Sequence, residues 1–262
     1  MAPALARGLG ILEVLAGVEK GLQLHQIADS LGIPRSAAHR LLAELSDAGY
    51  VRQDGALGNY VLSLKLVSLG LKHLAGNDLV GLSRPVLEQL ASDTAELVRL
   101  AVIDHEDMVW VAAYQGARSG LRYDPDSGST VTLSCSATGF AWMAHVPEEI
   151  ALQKILRQGI TSREDGGPRA PQTIDEIRAE LTKTRDNGFA IAIDTYSLGI
   201  GTVAAPVFVA GEVAGVINIT APTPRLTEER LAQLAPRLLR TTAEVTKILE
   251  AAEGRLQTVA RA

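Results

Sequence analysis

Apolar residues recur at helical spacing through the first fifty positions. Leu5, Leu9, Leu12 and Leu15 predict a helix over about 4–18, stopped at Gly21. A second helix is expected over 24–31, closed by Gly32, and a third over 34–48, opened by Pro34 and ended before Gly49. In the third, Ala38, Leu41, Leu42 and Leu45 form one apolar stripe, which leaves Arg35, Ser36, His39 and Arg40 on the outer side. Two short extended runs between Tyr50 and Leu62 flank Asp54-Gly55-Ala56-Leu57-Gly58-Asn59 and predict a hairpin with a Gly-rich tip.

Residues 62–75 are apolar on two faces, Leu62, Leu66 and Leu69 on one, Leu64, Val67, Leu71 and Leu74 on the other. A helix of that kind must be covered on several sides. It is either a buried helix of one larger domain or a connecting helix that also dimerises, and Gly76-Asn77-Asp78 punctuates its end.

Beyond it the period alternates between helix and strand. A helix is expected from Ser83 with Pro85 in its first turn, then strands at 97–103 and 108–114 joined by Asp104-His105-Glu106-Asp107. A Ser/Thr/Gly stretch, 127–139, feeds a short helix holding Trp142 and Met143, and Pro147-Glu148-Glu149 opens another. Gly166-Gly167-Pro168 reads as an exposed loop. Thr173-Ile174-Asp175-Glu176 is a capping box, and Asn187-Gly188 ends that helix. Strands follow at 189–193, 200–209 and 213–220, and a last helix starts near Thr227 and bends or breaks at Pro236. Mostly antiparallel strands with flanking helices predict an α+β fold.

Composition narrows the class. Of 262 residues 47% are apolar and 21% charged, ordinary values for a folded chain. Cys135 stands alone, so no intrachain disulfide forms, which fits a reducing cytoplasm. The start of the chain lacks the pattern of a secretory signal, and the apolar run 203–221 is interrupted by Pro206, Gly211, Glu212 and Gly215, so it reads as paired strands. The expectation is a cytoplasmic protein without a membrane span. The net charge of −5 argues at first against nucleic acid, but it is unevenly spread. Residues 1–76 carry seven Lys/Arg against six Asp/Glu, so the acidity resides in the remainder. Local field, not net charge, governs DNA binding.

Two helices joined by a three-residue turn, the second exposing Arg, Ser, His and Arg, match a helix-turn-helix, whose second helix enters the major groove. Arg35 and Arg40 suit guanine edges, Ser36 would anchor phosphate, His39 is a further polar contact, and Arg52 on the hairpin would meet phosphate. An ordinary helical subdomain with a solvated face is the alternative.

The run Arg35-Ser36-Ala37-Ala38-His39-Arg40-Leu41-Leu42 followed by Gly49-Tyr50-Val51 resembles the IclR family of bacterial transcriptional regulators. The resemblance continues through Tyr60-Val61-Leu62, Leu66 to Gly70, Leu100-Ala101-Val102, Ala137-Thr138-Gly139-Phe140-Ala141, Gly188-Phe189-Ala190, and Gly199 through Ala204-Ala205-Pro206-Val207. It implies a winged helix-turn-helix over 1–62, a linker and dimerisation helix over 63–78, and a GAF-like effector-binding and oligomerisation domain over 79–262. It also implies a homodimer or homotetramer that binds a double-stranded DNA operator under control of a small molecule, to repress or activate catabolic genes. Carried onto this chain, the effector pocket would include Ala137, Thr138, Thr202, Asn218 and Thr220. Members that bind small oxo-acids have Asp at the position of Ala192 and Cys at that of Thr202.

Independently of the family, a Ser/Thr-rich loop entering a helix offers N–H groups to a carboxylate. Asp194 would share a strand face with Ala192. Arg99 alternates with Leu97, Ala101 and Ile103, so it is either half of a structural ion pair or a clamp for an effector carboxylate. Trp142 and Met143 either wall the pocket or pack in the core. Together these features predict a small organic acid with apolar bulk as effector.

Signatures of enzymes are missing: no Gly-x-Ser-x-Gly, no His-Glu-x-x-His, no phosphate loop and no metal-ligand spacing occur. No cofactor and no metal are expected. A small-molecule-processing enzyme with an accessory DNA-binding head is the rival class.

Overall fold

The computed structural model describes residues 3–54, 58–75, 78–125 and 128–259. Gly55, Ala56 and Leu57 of the expected hairpin tip, Gly76-Asn77 of the expected break and Ser127 lie outside the described residues. The chain divides into two compact units, Met1–Gly76 and Asn77–Ala262.

The first unit runs α1 (Ala4–Ala16), α2 (Leu24–Ser30), α3 (Arg35–Asp47), β1 (Val51–Gln53), β2 (Tyr60–Leu62) and α4 (Leu64–Ala75). Ile11, Leu15, Ile27, Leu41, Leu42 and Val51 form its core, with the apolar stripe of α3 turned inward as its spacing requires. β1 and β2 pair antiparallel, Arg52 opposite Val61, and Leu22 bridges to Tyr60. Leu62 belongs to β2, opposite Val51, and not to the following helix. Ser63 draws that boundary: its hydroxyl accepts the Lys65 N–H at 3.1 Å and donates to the Gly49 carbonyl at 2.5 Å. On α4 Leu66 and Leu74 are half-buried, and Leu64, Val67, Leu69 and Leu71 are exposed.

The second unit contains α5 (Asp78–Thr94), β3 (Leu97–Asp104), β4 (Asp107–Gln115), α6 (Ala137–Met143), α7 (Glu148–Gln158), α8 (Ile174–Asn187), β5 (Ala190–Ile193), β6 (Ile200–Val209), β7 (Glu212–Pro222) and α9 (Glu228–Val259). One antiparallel sheet orders its strands β4-β3-β7-β6-β5. The α+β expectation holds. Leu87, Leu90, Leu231 and Leu238 of α5 and α9 pack on one face with Val98, Leu100, Val203 and Ile217. Phe140, Ile155, Ile177 and Leu181 of α6, α7 and α8 cover the other with Ala101, Ala204 and Val216.

Three local expectations change. α5 begins at Asp78, five residues before Ser83, with Pro85 in its interior. Starting there buries Leu79, worth about 2 kcal/mol, which offsets much of the interior proline's cost of about 3 kcal/mol. α9 likewise runs unbroken through Pro236, because Leu234, Ala235 and Leu238 are buried on either side. Gly167 is buried, not part of an exposed loop: it donates to the Thr195 carbonyl, and a Cβ there would lie 2.2 Å from the Asp194 oxygen. Pro206 sits inside β6 because β5 pairs only with Gly201–Ala204, so at Pro206 that side of the strand is an edge.

Candidate functional site

In the first unit, α2 and α3 form the helix-turn-helix. Ile33 donates to the Ala28 carbonyl at 3.0 Å and closes the turn, and Ala38, Leu41 and Leu42 anchor α3. Arg35, Ser36, His39 and Arg40 are all exposed on α3, and Arg52 is exposed on β1. The contact from Arg40 Nε to Glu44 Oε1 is long, 3.9 Å, and solvent-exposed, so it holds the guanidinium only weakly. Lys65 donates to the Ala48 carbonyl and stacks over Tyr50, fastening the end of α3 to the start of α4.

In the second unit, a cavity opens on the α6 face of the sheet. Its floor follows from strand register. Arg99 lies opposite Asn218, Thr220 opposite Thr202, and Thr202 opposite Ala192, so their side chains share one face. Ala137 and Thr138 form part of the roof. Of the residues expected to bind effector, the structure thus gathers Arg99, Ala137, Thr138, Thr202, Asn218 and Thr220 around one space.

Trp142 and Asp194 do not line it. Trp142 is a further turn, about 6 Å, along α6, 4% exposed in the core beneath Lys154. Met143 is likewise core. Strand β5 stops at Ile193, so alternation ends one residue before Asp194. That residue adopts φ +55° and its carboxylate accepts the Gly199 N–H at 2.6 Å, closing a turn whose Thr195 and Tyr196 face the cavity instead.

The aromatic wall consists of Trp110, Tyr123 and Tyr196, which the sequence pattern did not single out. Arg99 is 5% exposed, and its guanidinium lies 3.7 Å from the centroid of the Trp110 ring. Burial lowers its pKa, opposed by the nearby Tyr123 and Tyr196, yet a guanidinium remains charged at neutral pH. Burial also pushes the Tyr123 phenol up, so it stays a neutral donor. A buried cation beside aromatic faces is chemically able to pair with an anion that has a flat apolar body.

The start of α6 is less open than its composition implied. Ser136 caps it, accepting the Gly139 N–H at 2.9 Å while donating to the Thr132 carbonyl. Asn218 is 4% exposed; its Nδ2 donates to Thr138 Oγ1 at 3.2 Å, and its Oδ1 is buried with no hydrogen-bond partner among the described residues. The hydroxyls of Thr202 and Thr220 bond to each other at 3.1 Å.

Cys135 and His145 lie at opposite ends of α6, and burial raises the thiol's pKa, which disfavours the nucleophilic thiolate. Among the described residues no group of three or more His, Cys, Asp or Glu is placed to hold a metal ion, and no helix is long and apolar enough to cross a membrane.

A family model described as bacterial transcriptional regulator IclR C-terminal matches residues 71–247, and the IclR helix-turn-helix domain matches residues 4–55. The chain is similar to the transcriptional repressor IclR of Escherichia coli strain K12, 28% identical over 93% of this chain and 88% of that protein. A crystal structure of an IclR family transcriptional regulator from Brucella abortus is 27% identical with a TM-score of 0.71, covering 94% of this chain and 92% of that one. An IclR homolog complexed with 4-hydroxybenzoate, from Microbacterium hydrocarbonoxydans, shares the fold at a TM-score of 0.78 and 20% identity, over 95% of this chain and all of that one.

Proposed function

We propose that this chain, which belongs to the IclR family of bacterial transcriptional regulators, is a cytoplasmic repressor of catabolic genes controlled by a small organic acid with apolar bulk. Membership makes it a DNA-binding regulator with an effector-binding domain, not an enzyme. Repression follows the name of the Escherichia coli relative. The observation that carries the effector reading is the buried Arg99 guanidinium, stacked on Trp110 at the wall of a cavity lined by Thr138, Thr202, Asn218 and Thr220. Ala192 leaves open volume at a position where the family resemblance implies a carboxylate in members that take small oxo-acids. The homolog that holds 4-hydroxybenzoate supports an acid with a ring.

Acid binding and operator binding are linked states of one protein. If the acid weakens operator affinity by some factor, the operator weakens acid affinity by the same factor. Calorimetric titration with glyoxylate, pyruvate, aromatic acids and medium-chain acids tests the effector class. The larger acids should bind more tightly and release the operator; tighter binding of the two smallest would overturn the reading.

On the DNA side, Arg35, His39 and Arg40 are assigned to the major groove and Ser36 and Arg52 to phosphate. A unit so weakly charged needs a second copy to bind firmly. The uncovered leucines of α4, Leu64, Leu69 and Leu71, with Leu5 and Leu9 of α1, are the apolar surface such a homodimer would bury, within a dimer or a tetramer. Titrations on operator, scrambled and half-site duplexes at several salt concentrations check both points. Arg40→Ala should relax sequence preference by about 1–3 kcal/mol, while Arg52→Ala should weaken all duplexes alike. Equal losses on operator and scrambled DNA for Arg40→Ala would remove it from base readout. Half-sites bound as tightly as the full operator would contradict the symmetric dimer.

A further inference from the structure

We propose that Arg225 is a positioning residue for effector binding: it fastens the segment 117–125 so that Tyr123 stands at the cavity wall. This role rests on the acid-binding reading above, although Arg225 itself is not among the residues that line the cavity. It lies in the turn between β7 and α9. Leu97 of β3 pairs with Thr220 of β7, so the start of β3 lies beside the end of β7, within reach of that turn. There Arg225 Nε and Nη2 donate to the two carboxylate oxygens of Glu96, each at 2.8 Å. Glu96 is 6% exposed, and a carboxylate so buried needs a partner of this kind. The remaining arm of the guanidinium is turned to another part of the chain. Its Nη1 donates to the Leu121 carbonyl at 2.6 Å, 104 residues away in sequence.

That last bond matters because little else holds the segment. Its beginning is fixed where the Gly116 N–H donates to the Glu96 carbonyl at 3.1 Å. Past Gly116, among the described residues, no backbone hydrogen bond joins 117–125 to a strand. Side chains hold it instead. Gln115 Oε1 accepts the Ala117 N–H, Gln115 Nε2 donates to the Tyr123 carbonyl at 3.2 Å, and Arg225 holds Leu121 two residues before Tyr123. The Leu121 side chain is 68% exposed and adds little packing. Tyr123 is thus set at the wall it shares with Arg99 and Tyr196 through two side-chain anchors. A segment that is in place only part of the time lowers the apparent affinity by that fraction. Lysine at position 225 would keep the charge pair with Glu96. An ammonium is a single point of charge, however, and lacks the planar fork that spans a carboxylate and a carbonyl at once.

The test uses the full chain, with benzoate or octanoate as probe, whichever the native chain binds more tightly. Calorimetry gives the affinity and circular dichroism the melting. Limited trypsin digestion, mapped by mass spectrometry, reports on Arg118 and Arg122, two exposed cleavage sites inside the segment. Arg225→Lys should weaken acid binding about tenfold, the worth of one hydrogen bond from a charged donor. Without acid, cleavage after Arg118 and Arg122 should quicken by a similar factor while other sites keep the native rate, because cleavage follows the population of the open segment. Acid should slow cleavage at these two sites in the native chain. Native acid affinity in a folded Arg225→Lys overturns the proposal, whatever the cleavage rate, and leaves the acid-binding reading intact. Cleavage that quickens at all sites together assigns Arg225 to the stability of the whole unit and overturns it too. If no acid of any size binds the native chain, the reading beneath fails and the proposal with it. Should Arg225→Lys not fold, the double variant Glu96→Gln, Arg225→Gln, which leaves no buried charge unpaired, is held to the same outcomes.

Discussion

Arg99→Met should raise the dissociation constant for an acid effector by about thirtyfold or more, the equivalent of about 2 kcal/mol. Removing one partner of a buried, hydrogen-bonded charge pair costs at least that much, because the remaining carboxylate is left desolvated without its counter-charge. Arg99 meets the conditions for a large effect: it is 5% exposed, held over Trp110, and lines the same space as Asn218 and Thr220. Methionine keeps most of the side-chain volume, so the loss reports charge and not packing. Arg99→Lys should recover only part of the affinity, since an ammonium lacks the planar fork that meets both carboxylate oxygens and stacks on indole. Calorimetry with the tightest acid checks both variants, with circular dichroism to establish that each is folded. Undiminished affinity in Arg99→Met would place the carboxylate elsewhere, and the structural role of Arg99 would be the better account.

The second large effect concerns the frame of the cavity. Gly116 follows β4, and a Cβ there would sit 1.9 Å from the Ala91 carbonyl oxygen and 2.7 Å from that of Glu96. Both obstacles are backbone, held by α5 and β3, and the Gly116 N–H already donates to Glu96. Neither can yield without breaking the packing of α5 on the sheet. Gly116→Ala should therefore cost about 3 kcal/mol or more, which for a unit of this size lowers the melting temperature by about 6–12 °C. Gly81→Ala is the contrast: it lies in α5 with nothing within 4 Å of the added carbon, and should be neutral or stabilising by up to about 1 kcal/mol. Equal melting of the two variants would refute the steric argument. Because the chain leaves Gly116 toward Tyr123, partial loss of acid affinity in Gly116→Ala should accompany the loss of stability.

Much of this architecture could be read from residue order alone. The stripe Ala38, Leu41, Leu42 oriented α3, and with it the exposure of Arg35, Ser36, His39 and Arg40, because helical period ties the outer face to the inner one. Thr173 and Glu176 form their capping box as the spacing requires, with hydrogen bonds in both directions. Arg99 falls on the face predicted by alternation, beside Ala101. These readings share a property: each depends on neighbours within about one turn or one strand.

The aromatic wall depends on something else. In a regular ladder, Arg99 opposite Ala113 would place Val111 opposite Ala101 and turn Trp110 to the other face of the sheet. A bulge shifts the register between Leu100 and Ala101, so that Ala101 meets Trp110. One extra residue in β4 thereby carries the indole to the side of Arg99. Tyr123 and Tyr196 arrive from irregular segments with no periodicity to read, and Asp194 leaves the cavity because β5 ends one residue before it. By itself the sequence determined the helix-turn-helix, the α+β class and the strand face of the cavity's cationic residue, Arg99, since local period fixes which side chains share a surface. Only the tertiary structure decided which aromatic residues stand beside Arg99 and which polar atom is left without a partner, because register shifts, strand ends and the meeting of β7 with α6 are set by contacts distant in the chain.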